Sequence, residues 1–443
     1  MNVTWTEEQK KVIELHNRNL LVSAAAGSGK TAVLVERIIQ MILNRDHPVD
    51  IDRLLVVTFT NAAAAEMRER IGAALDQALE REPDNLHLQR QVTLIHNAQI
   101  STIHSFCLQI IRSHFFQIDL DPGFRIGDER ENSMLKEDVL DDVLEEAYGK
   151  KDEGFLEFIS SYGNTKNDDN IKKMVLALYG YANSYPWPKK WLEESLKLYE
   201  CSTTEEMEKQ PWMEELMDFL RQTAESLIHR ESQLYALASE PEGPALYKET
   251  LEDDIHILEE LKNETTYTGW YKRLEVLKFA ALSRKKQECS AEKKEEIKSA
   301  RDAVKKQITD IKKIYFSYSP EEQLQMLKEE KKAMKALTDL VLRFMECFQK
   351  EKADRNVLDF SDIEHFALDI LADGETGQPT ATAREYQQKF EEIMVDEYQD
   401  SNYVQEALLQ AVSGTGAGKN NLFMVGDVKQ SIYRFRLARP ELF

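Results

Sequence analysis

The chain has 443 residues, 42% of them hydrophobic and 9% aromatic, which is enough for about three compact units with real cores and excludes a wholly disordered chain. No apolar run approaches the ~20 residues of a membrane span, the N-terminus lacks the marks of a signal peptide, and the four scattered cysteines form no C-x-x-C pair; the expectation is a reduced, cytoplasmic protein without a disulfide framework or zinc site. The net charge of −22 argues against a sequence-blind nucleic-acid binder, but residues 121–390 carry −17 of it, leaving −2 on residues 1–120 and −3 on residues 391–443.

The first 115 or so residues alternate apolar runs with helical patterns. Asn19–Ser23 reads as a buried strand, followed by a helix from Lys30 to about Leu43 with Val33, Leu34, Ile38 and Ile42 near helical spacing. Leu54–Thr58 reads as a second strand, Ala62–Leu79 as an Ala-rich helix, Gln99–Ser101 as a short third strand and Ile103–His114 as another helix. Strands alternating with helices predict βαβ units and a parallel sheet. From about Glu131 to Lys352 the chain is rich in Glu, Lys and Leu, is punctuated by six prolines and predicts mostly helix. Glu391–Asp396 and Asn421–Asp427 then return to the first style, each an apolar strand ending in acid, with a turn over Ser413–Gly418 between them. The expected fold class is α/β: a P-loop domain with a parallel sheet, interrupted by a large, mostly α-helical insertion.

Ala24-Ala25-Ala26-Gly27-Ser28-Gly29-Lys30-Thr31 lies between the first strand and its helix. Small residues let backbone N–H groups wrap phosphate oxygens, a Lys reaches the β/γ-phosphates, a Thr hydroxyl suits Mg²⁺, and the helix N-terminus adds partial positive charge. Ala24 stands where the usual pattern has its first glycine. The bland alternative is a Gly-rich turn before a core helix. In Asp396-Glu397-Tyr398-Gln399-Asp400-Ser401-Asn402, Asp396 falls at the C-terminal edge of a strand, where open α/β sheets bind ligands. Asp396 would hold Mg²⁺ and Glu397 would orient or deprotonate the attacking water; the alternative is an acidic loop capping the next helix. Gly426–Arg436 also begins at a strand end. Gln430 could reach a γ-phosphate, and Tyr433, Phe435 and Arg436 suit stacking and phosphate contact on single-stranded nucleic acid; the alternative is a surface helix with ordinary core aromatics.

As an ordered set these segments resemble the superfamily 1 helicases of the UvrD/Rep/RecB type. Thr6-Glu7-Glu8-Gln9 resembles the adenine-reading Q motif, Ala24–Thr31 motif I, Thr58–Met67 motif Ia, Thr102–Cys107 motif Ib, Leu358–Ile363 the segment by which the chain re-enters its first motor domain, Asp396–Asn402 motif II and Gly426–Arg436 motif III. The resemblance implies a RecA-like motor domain 1A from residues 1–115 and 356–443, and a helical insertion domain 1B from 116–355. It further implies ATP and Mg²⁺ as cofactors, Gln9 at adenine, Lys30, Glu397 and Gln430 as catalytic residues, and Thr31 and Asp396 at the metal. DNA contacts are implied for Thr58, Phe59, Thr60, Asn61, His104, Ser105, Tyr433, Phe435 and Arg436. Two positions depart from many members: Ala32 stands where an Arg follows the motif I Thr, and Phe435 where a Trp is common.

The gap of about 285 residues between motifs Ib and II resembles the helicase–nuclease subunits of RecBCD-like complexes. That implies 3′→5′ translocation in double-strand-break processing, contact with single-stranded and duplex DNA, no membrane, and an AddB-like second subunit in a heterodimer. The second motor domain, with its γ-phosphate arginines, and the nuclease are expected beyond Phe443. The alternatives are a stand-alone repair helicase without a nuclease, or a partner-organising module with a silent motor. Within the insertion, Lys272–Lys313 carries +7 and Arg130–Glu260 carries −17. The first reads as a solvated helix pair or a duplex-DNA contact, the second as a solvated face or a partner surface.

Overall fold

The computed structural model describes residues 4–25, 27–164, 167–431 and 438–443. Ala26 and the motif III residues Tyr433, Phe435 and Arg436 lie outside them. By packing, the chain forms two compact units, one of Met1–Leu192 with Leu337–Phe443 and one of Glu193–Ala336.

The first unit is built on five parallel strands: β1 (Leu20–Ser23), β2 (Leu54–Thr58), β3 (Gln99–Thr102), β6 (Glu392–Val395) and β7 (Leu422–Gly426), in the order β1-β7-β6-β2-β3. A smaller pair, β4 (Arg125–Ile126) and β5 (Val357–Leu358), brings the two ends of the intervening chain together. The central strands β2 and β6 are buried along their whole length, as a parallel sheet covered on both faces requires. Alternate side chains serve two cores. Leu55, Val57, Ile393, Val395 and Leu422 pack with helices Ile103–His114, Phe360–Leu371 and Tyr403–Val412. Leu54, Val56, Ile100, Met394, Phe423 and Val425 pack with helices Lys30–Leu43, Asn61–Arg81 and Leu86–Leu94.

The helices that line the site have clear local causes. Thr6 and Gln9 form a reciprocal capping box that starts helix Glu7–Glu14. Thr60 and Thr102 cap the helices that follow β2 and β3 by accepting from Ala63 N and Ser105 N. Asp359 and Asp362 form a second capping box at helix Phe360–Leu371. Lys352, 1% exposed, donates to Asp362 at 2.6 and 2.7 Å and to Asp359 at 3.3 Å, which fixes the re-entry of the chain beside β5.

The boundaries of the first compact unit fall inside the expected insertion of 116–355. Helices Glu129–Lys150, Glu153–Tyr162 and Asp169–Ala182 belong to that unit, tied by contacts such as Arg343–Glu146 at 2.9 Å and Lys136 over the rings of Tyr179 and Phe348. The second unit is helical. Its core gathers Trp270, Tyr267 and Phe316 between helices Pro211–Ser239, Tyr267–Val276 and Ala291–Tyr315. It also buries an Arg301–Asp254 ion pair, and the Glu231 carboxyl, without a hydrogen-bond partner, is pushed up to about 7, first by burial and then by Asp254. Among the described residues no helix is long and apolar enough to cross a membrane.

One buried cation joins the P-loop helix to the rest of the sheet. Arg37, 1% exposed, bonds Glu392 on β6 at 2.6 Å, donates to the carbonyls of Val12 and Ile13 at 2.6 and 3.2 Å, and lies 4.8 Å from the Phe423 ring centre. Removing it would leave the Glu392 carboxylate buried, with only His16 at 3.6 Å. Arg37→Met is therefore expected to cost about 3–5 kcal/mol of unfolding free energy, and Arg37→Met with Glu392→Met to recover most of it. Urea denaturation measures both; a double variant no more stable than the single one would contradict this reading of the pair.

Candidate functional site

The C-terminal ends of β1, β7 and β6 converge on one cleft. After β1 the chain turns through Gly27 and Gly29, at φ 74° and 83°, a conformation that costs glycine little and other residues more. Gly29 is the N-cap of helix Lys30–Leu43, and Ser28 N donates to Ala25 O at 3.2 Å, closing the turn. Gln9 stands beside this turn. Its Oε1 accepts from Thr6 N, and its Nε2 donates to Ser28 O at 3.1 Å, which leaves one amide N–H for a further acceptor.

Lys30 Nζ lies 2.9 Å from Glu397 Oε2. These two residues, 367 positions apart, are joined because β1 and β6 both flank β7. Thr31 follows Lys30 in the first turn of the same helix. Asp396 continues the ladder, its N–H donating to Val57 O at 2.9 Å, and its Oδ1 accepts from Glu397 N at 3.0 Å. Glu397 holds φ 54°, uncommon for a residue with a Cβ. The Lys30 charge also acts on Asp396, Asp400 and Asp427, so one ammonium faces four carboxyl groups. Burial, and then Glu397, pushes the Asp396 carboxyl up to about 6; burial raises Asp400 as well. The Gln430 amide donates to Asp427 Oδ2 at 2.5 Å and holds that carboxyl below its ordinary range. Gln430 is thus turned toward Asp427, at the edge of the same cleft.

The excess of carboxylate over ammonium suits a divalent cation. Among the described residues no three His, Cys, Asp or Glu side chains converge as a metal centre. A cation here would take further oxygens from phosphate and water, as Mg²⁺ commonly does.

The expected DNA residues gather at the neighbouring ends of β2 and β3. Phe59 is half-buried; Thr60 and Asn61 are exposed at the start of helix Asn61–Arg81. Thr58 is only 2% exposed and donates to Thr60 O, so its side chain shapes the turn from within. His104 Nε2 lies 3.2 Å from the buried Glu364, and Ser105 is exposed beside its cap, Thr102. The N-termini of two helices therefore open on this face, a favourable setting for phosphate.

Sequence alone does not single out Phe360, Glu364 or Gln399. Phe360, 60% exposed, meets His104 edge-on at 5.5 Å between ring centres. Its signal is positional: an aromatic at the first turn of a capped helix, off the core stripe of Ile363, Ala367 and Ile370. Glu364 accepts from Gln405 at 2.7 Å and Asn402 at 3.3 Å, linking His104 to the helix after motif II. Arg439 is engaged within the chain: its guanidinium donates to the Tyr181 hydroxyl at 2.8 Å and lies 5.1 Å from the Tyr403 ring.

Residues 5–443 match the model of the UvrD/REP helicase N-terminal domain. An ATP-dependent helicase/nuclease subunit of Lachnoclostridium phytofermentans is 47% identical over 99% of this chain, which covers 32% of that protein. The proteins of the same name from Bacillus cytotoxicus and Bacillus cereus are each 44% identical over 99% of the chain, which covers 36% of them. The chain thus spans about a third of the length of these curated relatives.

A stability measurement checks the electrostatics of the cleft. A carboxyl with a raised folded-state value adds most to stability when protonated, so its contribution is full below about pH 4 and is lost as pH rises through about 6. Asp396→Asn is expected to match the wild type near pH 4 and to exceed it by about 1–2 kcal/mol at pH 7.5. A difference that does not change with pH in urea melts would contradict the assignment.

Proposed function

The chain belongs to the UvrD/REP helicase family, and we propose that it is the ATP-binding motor domain of an ATP-driven 3′→5′ DNA translocase and helicase. The observation that carries the proposal is the meeting of Lys30 and Glu397 at 2.9 Å, beside Asp396, at the C-terminal edge of a parallel sheet. In this reading Lys30 exchanges its carboxylate partner for the β/γ-phosphates, with the turn at Gly27–Gly29 supplying backbone N–H groups. Thr31 and Asp396 hold Mg²⁺, which neutralises charge on the phosphates. Glu397 accepts a hydrogen bond from the attacking water at Oε2, where Lys30 now donates. Gln9 offers its remaining amide N–H to the purine, and Gln430 leaves Asp427 to reach the γ-phosphate.

On the DNA side, Phe59, Thr60, Asn61, His104 and Ser105 grip a single strand through helix N-termini and ring faces, joined by Tyr433, Phe435 and Arg436. We add Phe360, whose exposed ring beside His104 suits a sequence-blind stack. In the second compact unit the exposed Arg284, Lys285 and Lys286 lie in the irregular stretch before helix Ala291–Tyr315, and they favour the duplex-DNA reading of Lys272–Lys313.

The names of the relatives extend the proposal to a cytoplasmic helicase–nuclease complex for double-strand-break repair and recombination, with an AddB-like second subunit.

DNA-stimulated ATP hydrolysis by the full-length protein tests the reading. Lys30→Ala should abolish turnover in a folded protein, because Lys30 offers charge to phosphate rather than packing to a core. Glu397→Gln should keep ATP binding and slow hydrolysis by ~10²-fold or more. Full turnover in folded Lys30→Ala, or equal loss of binding and turnover in Glu397→Gln, would contradict the assignments. Phe360→Ala should weaken single-stranded DNA binding by about 1–3 kcal/mol; unchanged affinity in a fluorescence titration would remove it from the DNA face.

A further inference from the structure

The segment that follows Glu397 is a short turn, Tyr398–Asp400, and its middle residue, Gln399, is 1% exposed. A buried amide must satisfy both of its ends. Here the two ends have different neighbours. Nε2 donates to Glu397 Oε2 at 2.8 Å, and Oε1 accepts from the backbone N–H of Asp427 at 2.9 Å. Flipping the amide would turn its oxygen toward a carboxylate and its N–H₂ toward a backbone N–H, so one orientation alone keeps both bonds.

The space for this amide comes from a missing side chain. A Cβ on Gly426 would lie 2.2 Å from Gln399 Oε1 and 3.3 Å from its backbone N. Gly426 is the last residue of β7, and the chain that leaves it is the 427–436 segment. Ser431 adds a second tie: its hydroxyl stands 3.3 Å from Asp400 Oδ1 and 3.5 Å from Gln399 O.

We propose that Gln399 is a positioning residue that couples the 427–436 segment to the Glu397 carboxylate. The inference rests on the ATPase reading above and names how DNA would regulate that site. Glu397 Oε2 has two donors, Lys30 Nζ and Gln399 Nε2. Once Lys30 turns to phosphate, Gln399 is the donor that continues to orient the carboxylate, on a residue whose φ of 54° already depends on its surroundings. The amide is itself anchored to Asp427, so a shift of the 427–431 backbone moves the amide and, with it, the carboxylate. DNA held by the residues just beyond Ser431 would set that backbone and thereby the alignment of Glu397 with the attacking water.

The test is steady-state ATP hydrolysis by the full-length protein with and without single-stranded DNA, for the wild type, Gln399→Leu and Gln399→Glu. Gln399→Leu removes both bonds. Gln399→Glu keeps an acceptor for Asp427 N–H but offers no donor to Glu397. In both variants kcat at saturating DNA should fall by about 10- to 10²-fold, the order of cost of a misplacement of about 1 Å. The ratio of DNA-stimulated to DNA-free turnover should approach 1, while KM for ATP and affinity for a non-hydrolysable analogue stay within about twofold of wild type. Stimulation equal to wild type in either variant would overturn the proposal. So would a parallel loss of analogue affinity, kcat and melting temperature, which would mark Gln399 as merely structural. A wild type without DNA-stimulated hydrolysis would instead sink the ATPase reading itself.

Discussion

The contact on which the candidate site depends is the ion pair between Lys30 and Glu397. It joins the first strand–turn–helix of the chain to a strand that arrives more than 360 residues later. Its setting is electrostatically unbalanced, with one ammonium among Glu397, Asp396, Asp400 and Asp427. Carboxyl groups gathered in a partly buried cleft raise one another and favour any cation that enters. The surrounding structure maintains this imbalance. Gly27 and Gly29 turn the chain so that Lys30 begins a helix at the strand edge; Arg37, two turns on, pins that helix to β6 through Glu392; and Glu397 holds a left-handed backbone. Such features cost stability, which the two cores on either side of the sheet offset.

A second network lies along the same sheet edge. Glu364 draws together His104, Asn402 and Gln405, so the segment after motif II faces nucleotide chemistry at one end and the expected DNA surface at the other. Gln399 and Ser431 connect that segment to the strand end at Gly426. Motif II is in this sense a connector: Asp396 and Glu397 face the cleft, Gln399 faces Asp427, and Asn402 faces the DNA side.

Much of the α/β architecture is legible in the sequence because it is local. The helix read from Lys30 to Leu43 and the strand read at Leu54–Thr58 have those bounds in the structure, since apolar spacing and a Gly-rich turn determine both. Helix Leu86–Leu94 carries no strong period, and the two-residue strands β4 and β5 are too short to show one. Arg37 falls in a helical pattern where a charged residue reads as surface; only the return of β6 reveals its buried partner. In the site, Lys30, Asp396 and Glu397 are legible because each follows an apolar run. Gln399, Glu364 and Phe360 are not, because their partners lie on other elements and nothing local distinguishes them.

An ATP site in this cleft requires Lys30 to be shared between Glu397 and phosphate. The most direct measurement is a crystal structure of the chain with a non-hydrolysable ATP analogue and Mg²⁺. The expected result is phosphates in the turn at Gly27–Gly29, Lys30 Nζ moved from Glu397 to phosphate oxygen, and the cation beside Thr31 and Asp396. A nucleotide bound elsewhere, or Lys30 still paired with Glu397 while phosphates occupy the turn, would contradict it.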